Sequence, residues 1–143
     1  MENLNSNYIE TFVNLQGLLS QQVNTQCNDD FLSFVRLMAP SIVSDFRMGR
    51  HIEVISEKLQ QVESGELKRL MVFLPPRSSK SVVCSKLFPA WYIGRNPEHE
   101  LLTISHSDQL ASDFGRSVRD IVNTEEFSKV FRGVAPDRDW ETV

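Results

Sequence analysis

Lys80 and Ser81 stand side by side after two prolines, an arginine and two serines, in the stretch LMVFLPPRSSKS that runs from Leu70 to Ser81. A lysine followed by a hydroxyl residue, set between a buried strand and the start of a helix, is the pair that phosphate-binding loops use. The lysine reaches the β- and γ-phosphates, the hydroxyl holds magnesium, and backbone N–H groups surround the remaining oxygens. Arg77 adds a second cation suited to a polyphosphate. The usual spacing, G-x-x-x-x-G-K-[ST], has its glycines where this chain has Leu74 and Ser79. A left-handed backbone at Ser79 costs a non-glycine residue about 1 kcal/mol. Spacing alone therefore leaves two readings: a phosphate loop without glycines, or a strand, a turn and some solvated polar residues.

The elements that must position this loop follow from periodicity. Ile9, Phe12, Val13, Leu15 and Leu18 mark a helix over residues 8–23, which the polar run QQVNTQCND is expected to break. A second helix starts near Asn28 or Asp29 as N-cap, carries Phe31, Leu32, Val35 and Met38, and is expected to stop at Pro40. Ile52, Ile55, Leu59 and Val62 define a third helix that ends at Gly65. Leu70 to Leu74 and the segment LLTIS, Leu101 to Ser105, then read as strands buried on both faces. Between them lies a helix carrying Val82, Val83, Leu87, Ala90 and Trp91, expected to be kinked or shortened by Pro89. Leu110, Phe114, Val118 and Ile121 make an amphipathic helix capped by Ser107 or Asp108, and Thr124 opens a last short one. Strand, helix and strand in that order predict a parallel pair with a right-handed crossover. Two such strands need neighbours, and the chain stops where a third is expected, which suggests a fragment.

With 143 residues, 41% hydrophobic and 24% charged, the chain is long and apolar enough for one domain with a real core, which excludes wholesale disorder. The net charge of −4 gives no global basic field for nucleic acid, although Arg116, Arg119, Arg132 and Arg138 allow a local patch. Cys27 and Cys84 form no Cys-x-x-Cys pair and read as small core residues of a reduced, cytosolic protein. His51, His99 and His106 have no zinc spacing, no run of about 18 apolar residues spans a membrane, and the polar N-terminus is not a signal peptide.

The segment LPPRSSKS closely resembles the deviant Walker A segment of the large terminase subunits of tailed bacteriophages. The flanks agree: GRHIEVISEKLQQVESGELKRLMV before the loop, and LFPAWYIGRNPEHELLTISHSDQLASDFGRSVRDIV after it. Phe-Pro-Ala-Trp and Phe-Gly-Arg-x-Val-Arg-Asp are the most specific pieces, and the likeness covers roughly residues 31–132. By this resemblance the fold is α/β: the N-terminal portion of an additional-strand P-loop NTPase, with leading helices and a partial parallel sheet. Residues 1–27 become an N-terminal helical extension and residues 28–143 the first part of the ATPase domain. The implied activity is ATP hydrolysis that drives viral DNA into a procapsid. ATP and Mg2+ are the implied cofactors. Double-stranded DNA, the portal protein and the small terminase subunit are the implied partners, with a homo-oligomeric ring for the full-length protein. The implied location is the host cytoplasm, transiently at the procapsid portal, with no membrane.

Carried over by position, Lys80 contacts the β- and γ-phosphates, Ser81 holds magnesium, and Arg77 stabilises charge on the γ-phosphate. Pro76, Ser78 and Ser79 complete the loop, and His51 falls where the adenine end of the nucleotide lies. Ser79 replaces a frequent Gly or Thr, and Val82 stands where the family often has Glu. No apolar run ends in Asp-Glu, so the Walker B aspartate and the catalytic glutamate are missing from these residues, as are the nuclease carboxylates. A non-catalytic interaction module, a relic of a prophage terminase and another P-loop ATPase such as a helicase remain alternatives. His106, after the second strand segment, faces a ligand or caps a helix. Arg116 and Arg119 share a helix face and touch DNA phosphates or pair with Asp113 and Asp120.

Overall fold

A computed structural model of the chain describes residues 2–134, with side chains from residue 10 onward. Every regular element among them is helical: α1 (Glu2–Asp29), α2 (Phe31–Ile42), α3 (Arg50–Glu63), α4 (Lys80–Val82), α5 (Phe88–Arg95), α6 (Asp108–Val122) and α7 (Glu125–Val130). A π-helical segment, Val83–Leu87, joins α4 to α5 without a break.

The expected α/β fold with a partial parallel sheet is therefore not found. Leu70–Leu74 and Leu101–Ser105 carry no strand, and no backbone hydrogen bond joins them to each other or to anything else described. Leu70, Val72 and Leu74 pack against the helical core, while Met71 and Phe73 are 78% and 80% exposed. Leu102 and Ile104 are likewise 84% and 81% exposed. An apolar run shows that side chains favour burial; it does not supply the second extended segment that a ladder needs. The helical core covers one side of the first run only, so burial on both faces is not achieved.

The core forms around α2 and the helix behind the loop. Phe31, Phe34, Val35 and Met38 of α2 meet Ile52, Ile55 and Leu59 of α3, Val83 and Leu87 of the π segment, and Trp91 of α5. Ile121, Phe127, Val130 and Phe131 close the opposite side. Trp91 is fully buried, and its indole N–H donates to the Cys27 carbonyl at 3.0 Å, the partner a buried indole requires. Arg95, one turn on, lies 5.1 Å from the Trp91 ring centre, donates through Nε to Glu63 Oε1 at 3.0 Å, and reaches the Asn28 carbonyl at 2.8 Å. The ends of α1 and α3 are thus tied to α5.

Several local expectations are corrected. QQVNTQCND does not break the first helix, because α1 runs on to Asp29. Asp30, not Asn28 or Asp29, caps α2, with Oδ2 accepting from the Ser33 N–H at 2.7 Å. Pro40 sits inside α2, which ends only at Ile42. Pro89 neither shortens nor interrupts its helix. The turn that leads into it is a wide π turn, with the Phe88 N–H donating to the Val83 carbonyl five residues back. By contrast, α3 stops before Gly65, whose φ is 77°, and Ser107 and Thr124 cap α6 and α7 by accepting from the N–H of Leu110 and Phe127.

Gly94 marks the tightest approach between α5 and the turn after α7. A Cβ added there would lie 2.6 Å from the Phe131 ring, which is itself buried. Gly94→Ala is expected to lower stability by about 1–3 kcal/mol through this overlap. In a Phe131→Leu background the same change is expected to cost less. Urea unfolding of the four proteins measures both effects, and equal costs in the two backgrounds would contradict the packing described.

Candidate functional site

The segment between the Leu70–Leu74 run and α4 folds back on itself. Ser78 Oγ donates to the Pro75 carbonyl at 2.7 Å, closing a turn over Pro76 and Arg77. Arg77 and Ser79 both adopt left-handed backbone, with φ of 64° and 58°. Neither is glycine, so each conformation costs about 1–2 kcal/mol relative to ordinary backbone. The Ser79 carbonyl then accepts from the Val83 N–H at 3.1 Å, the bond that starts the helical run through Arg95. Two reversals of backbone hand within three residues give this short loop its concave form.

The concavity is a hollow of about 400 Å3 lined by Leu74, Pro75, Pro76, Arg77, Ser78, Ser79, Lys80, Ser81 and Val82. Of the residues singled out from the sequence, the six from Pro76 to Ser81 therefore share one cavity wall. Two are cations, three carry hydroxyls, and no carboxylate lines the hollow. The Ser78 hydroxyl is committed to the Pro75 carbonyl, which leaves Arg77, Lys80, Ser79 and Ser81 as donors suited to an anion with several oxygens.

His51 lies elsewhere. It lines an adjoining groove of about 520 Å3 between α3 and residues 70–74, together with Arg50, Lys58, Met71 and Phe73. Leu74 belongs to both cavities and forms their common wall. The His51 imidazole is folded over Gly49, where an added Cβ would stand 2.8 Å from Cε1. Arg50 and Lys58 escaped notice in the sequence, although both flank the apolar stripe of α3; only the position of the extended segment beside them makes a groove. Another hollow, about 560 Å3, lies between α1 and α7 and is lined by Asn24, Thr25, Asn28, Asp29 and Arg132 among others, away from the loop residues.

The remaining candidates stay apart. His106 is exposed, and Ser107 rather than His106 caps α6. Arg116 pairs with Asp113 at 3.2 Å and Arg119 with Asp120 at 3.6 Å, a solvated face of ion pairs. Arg138 lies outside the described residues. Among those described, no group of three or more His, Cys, Asp or Glu side chains is placed to hold a metal, and no helix is long and apolar enough to cross a membrane. Cys27 and Cys84 are both free, the first buried and the second half-buried. Burial pushes the Cys84 thiol up, and the nearby Lys80 ammonium pulls it partly back.

With the geometry established, comparison with family models, curated proteins and solved structures gives no match.

Two measurements test the loop directly. Ser79→Gly is expected to match or exceed the parent in stability by up to about 1 kcal/mol, whereas Ser79→Val, β-branched and poorly suited to positive φ, loses about 1–2 kcal/mol. Equal melting temperatures for the two variants would mean that residue 79 is not left-handed. Removing the Lys80 charge takes away the one influence that lowers the Cys84 thiol, so Lys80→Ala is expected to slow alkylation of Cys84 at mildly alkaline pH. An unchanged pH profile of alkylation would separate the two side chains.

Proposed function

We propose that residues Pro75–Ser81 bind the phosphates of ATP, and that the chain is the nucleotide-binding part of a DNA-packaging ATPase of the large-terminase kind. One observation carries this: a loop without glycine holds two left-handed residues and lines one hollow with Arg77, Lys80 and the hydroxyls of Ser79 and Ser81. Local strain that the rest of the fold must sustain is a mark of functional loops. The likeness of the flanking segments to terminases supports the same reading independently of the loop. A sheet has no part in it; the reading rests on the loop and on the helical run from Lys80 to Arg95.

In this reading Lys80 and Arg77 neutralise the β- and γ-phosphates, the main device of phosphoryl transfer. The residues present fit polyphosphate well. For Mg2+ they supply one hydroxyl, that of Ser81, and no carboxylate, so the ion would be held by Ser81 and by the phosphates themselves. The groove beside Leu74, with His51 at its wall, is the nearest apolar space for a base. Double-stranded DNA, a portal protein, a small terminase subunit and a ring of copies belong to the proposal for the complete motor, acting in the host cytoplasm at the procapsid.

The missing Asp-Glu pair favours a second reading for these residues taken alone: nucleotide binding without turnover, as a non-catalytic interaction module. Titration calorimetry with Mg-ATP is expected to give weak binding that Lys80→Ala abolishes, and a phosphate-release assay is expected to give negligible turnover. Binding that survives Lys80→Ala, or no binding at millimolar ATP, would sink the phosphate-loop reading. Robust hydrolysis by this chain would sink the non-catalytic one.

A further inference from the structure

Helix α1 leaves the body of the protein. Its last turns are anchored through Cys27 and Asn28, yet every residue from 10 to 23 is exposed. That length of helix is about 20 Å. An isolated helix of this size is marginal in water unless a partner covers one face. Phe12, Leu15, Leu19 and Val23 follow one another at spacings of three, four and four and so lie along one stripe, with Leu18 at its margin. These five side chains are 47–60% exposed.

We propose that this arm pairs with the arm of a second copy of the chain, antiparallel and about a two-fold axis at residue 17. Three observations select a second copy as the occupant. The stripe is self-complementary in size: in this register Leu15 faces Leu19 of the other copy and Phe12 lies within one residue of Val23, so like meets like and a large residue meets a smaller one. No residue from Thr11 to Asn28 carries a formal charge, so two copies bring no like charges together along the seam. The antiparallel arrangement also sets the two bodies at opposite ends, where they do not collide, and opposes the helix dipoles. Covering five half-exposed apolar side chains on each arm removes on the order of 1,000 Å2 in total, the lower bound for a specific interface. The pair is therefore a weak dimer, with a dissociation constant on the order of micromolar.

Sedimentation equilibrium of the chain from about 1 to 300 µM tests this. The parent is expected to pass from monomer to dimer across that range. Leu15→Asp combined with Leu19→Asp is expected to hold it monomeric, while Asn14→Asp, on the opposite face of α1, is expected to dimerise like the parent. Thermal unfolding checks that the body is intact in both variants, since none of these side chains is buried against it. Monomer at every concentration would overturn the proposal, as would a dimer that survives the double substitution, or one lost equally in the Asn14→Asp control. Mixing single Leu15→Cys and Leu19→Cys chains fixes the direction: oxidation should cross-link the two different chains faster than like with like. Preferential Leu15–Leu15 linkage would overturn the antiparallel register.

Discussion

The indole of Trp91 and the guanidinium of Arg95 above it are the contacts on which the rest of this small fold depends. Trp91 is buried at the meeting of α1, α2 and α5, and its N–H is committed to the carbonyl that ends α1. Arg95 spans the ends of α1 and α3 through Asn28 and Glu63, and Asn96 adds a second donor to the same Glu63 oxygen at 3.1 Å. With side chains 28% and 10% exposed, the Arg95–Glu63 pair is sheltered enough for loss of one member to matter more than at an open surface. Everything N-terminal to the loop is thereby fixed to the helix that follows it.

That helix in turn fixes the loop. Val83 and Leu87 of the π segment face the core together with Ala90 and Trp91, and the wide turn lets the chain pass Pro89 while keeping these four side chains inward. A break at the proline would free the first residues of the helix from the body. The strain at Arg77 and Ser79, of order 1–2 kcal/mol each, is tolerable because the segments on either side are anchored: Leu70, Val72 and Leu74 before it, and the buried helix after it. An open loop with the same sequence and free ends would relax to ordinary backbone.

The sequence was legible where one physical signal acts locally. Ser107 and Thr124 announce their helices because an N-cap hydroxyl satisfies an N–H three residues on, and Gly65 ends α3 because it takes positive φ without cost. Legibility fails where the answer depends on distant partners. Leu70–Leu74 and Leu101–Ser105 show the apolar runs of buried strands, yet pairing requires a neighbour that local pattern does not provide. Arg95 looks like an ordinary last-turn cation; its partners stand 32 and 67 residues away. The polar run QQVNTQCND continues α1 rather than breaking it, since glutamine and asparagine reveal little about a helix that extends past the core. Arg50 and Lys58 came to notice only once the fold laid an extended segment beside α3.

The two extended runs leave the molecule with a particular vulnerability. Each presents backbone amide groups without backbone partners, together with exposed apolar side chains: Met71 and Phe73 in one, Leu102 and Ile104 in the other. Any extended polypeptide laid along such a row gains hydrogen bonds and apolar cover together, which is how ordered aggregates are seeded. No lysine, proline or bulge interrupts either row, and a net charge of −4 over 143 residues supplies little repulsion between molecules. How long a concentrated preparation stays clear is therefore governed by these two short surface seams, however well the interior is packed.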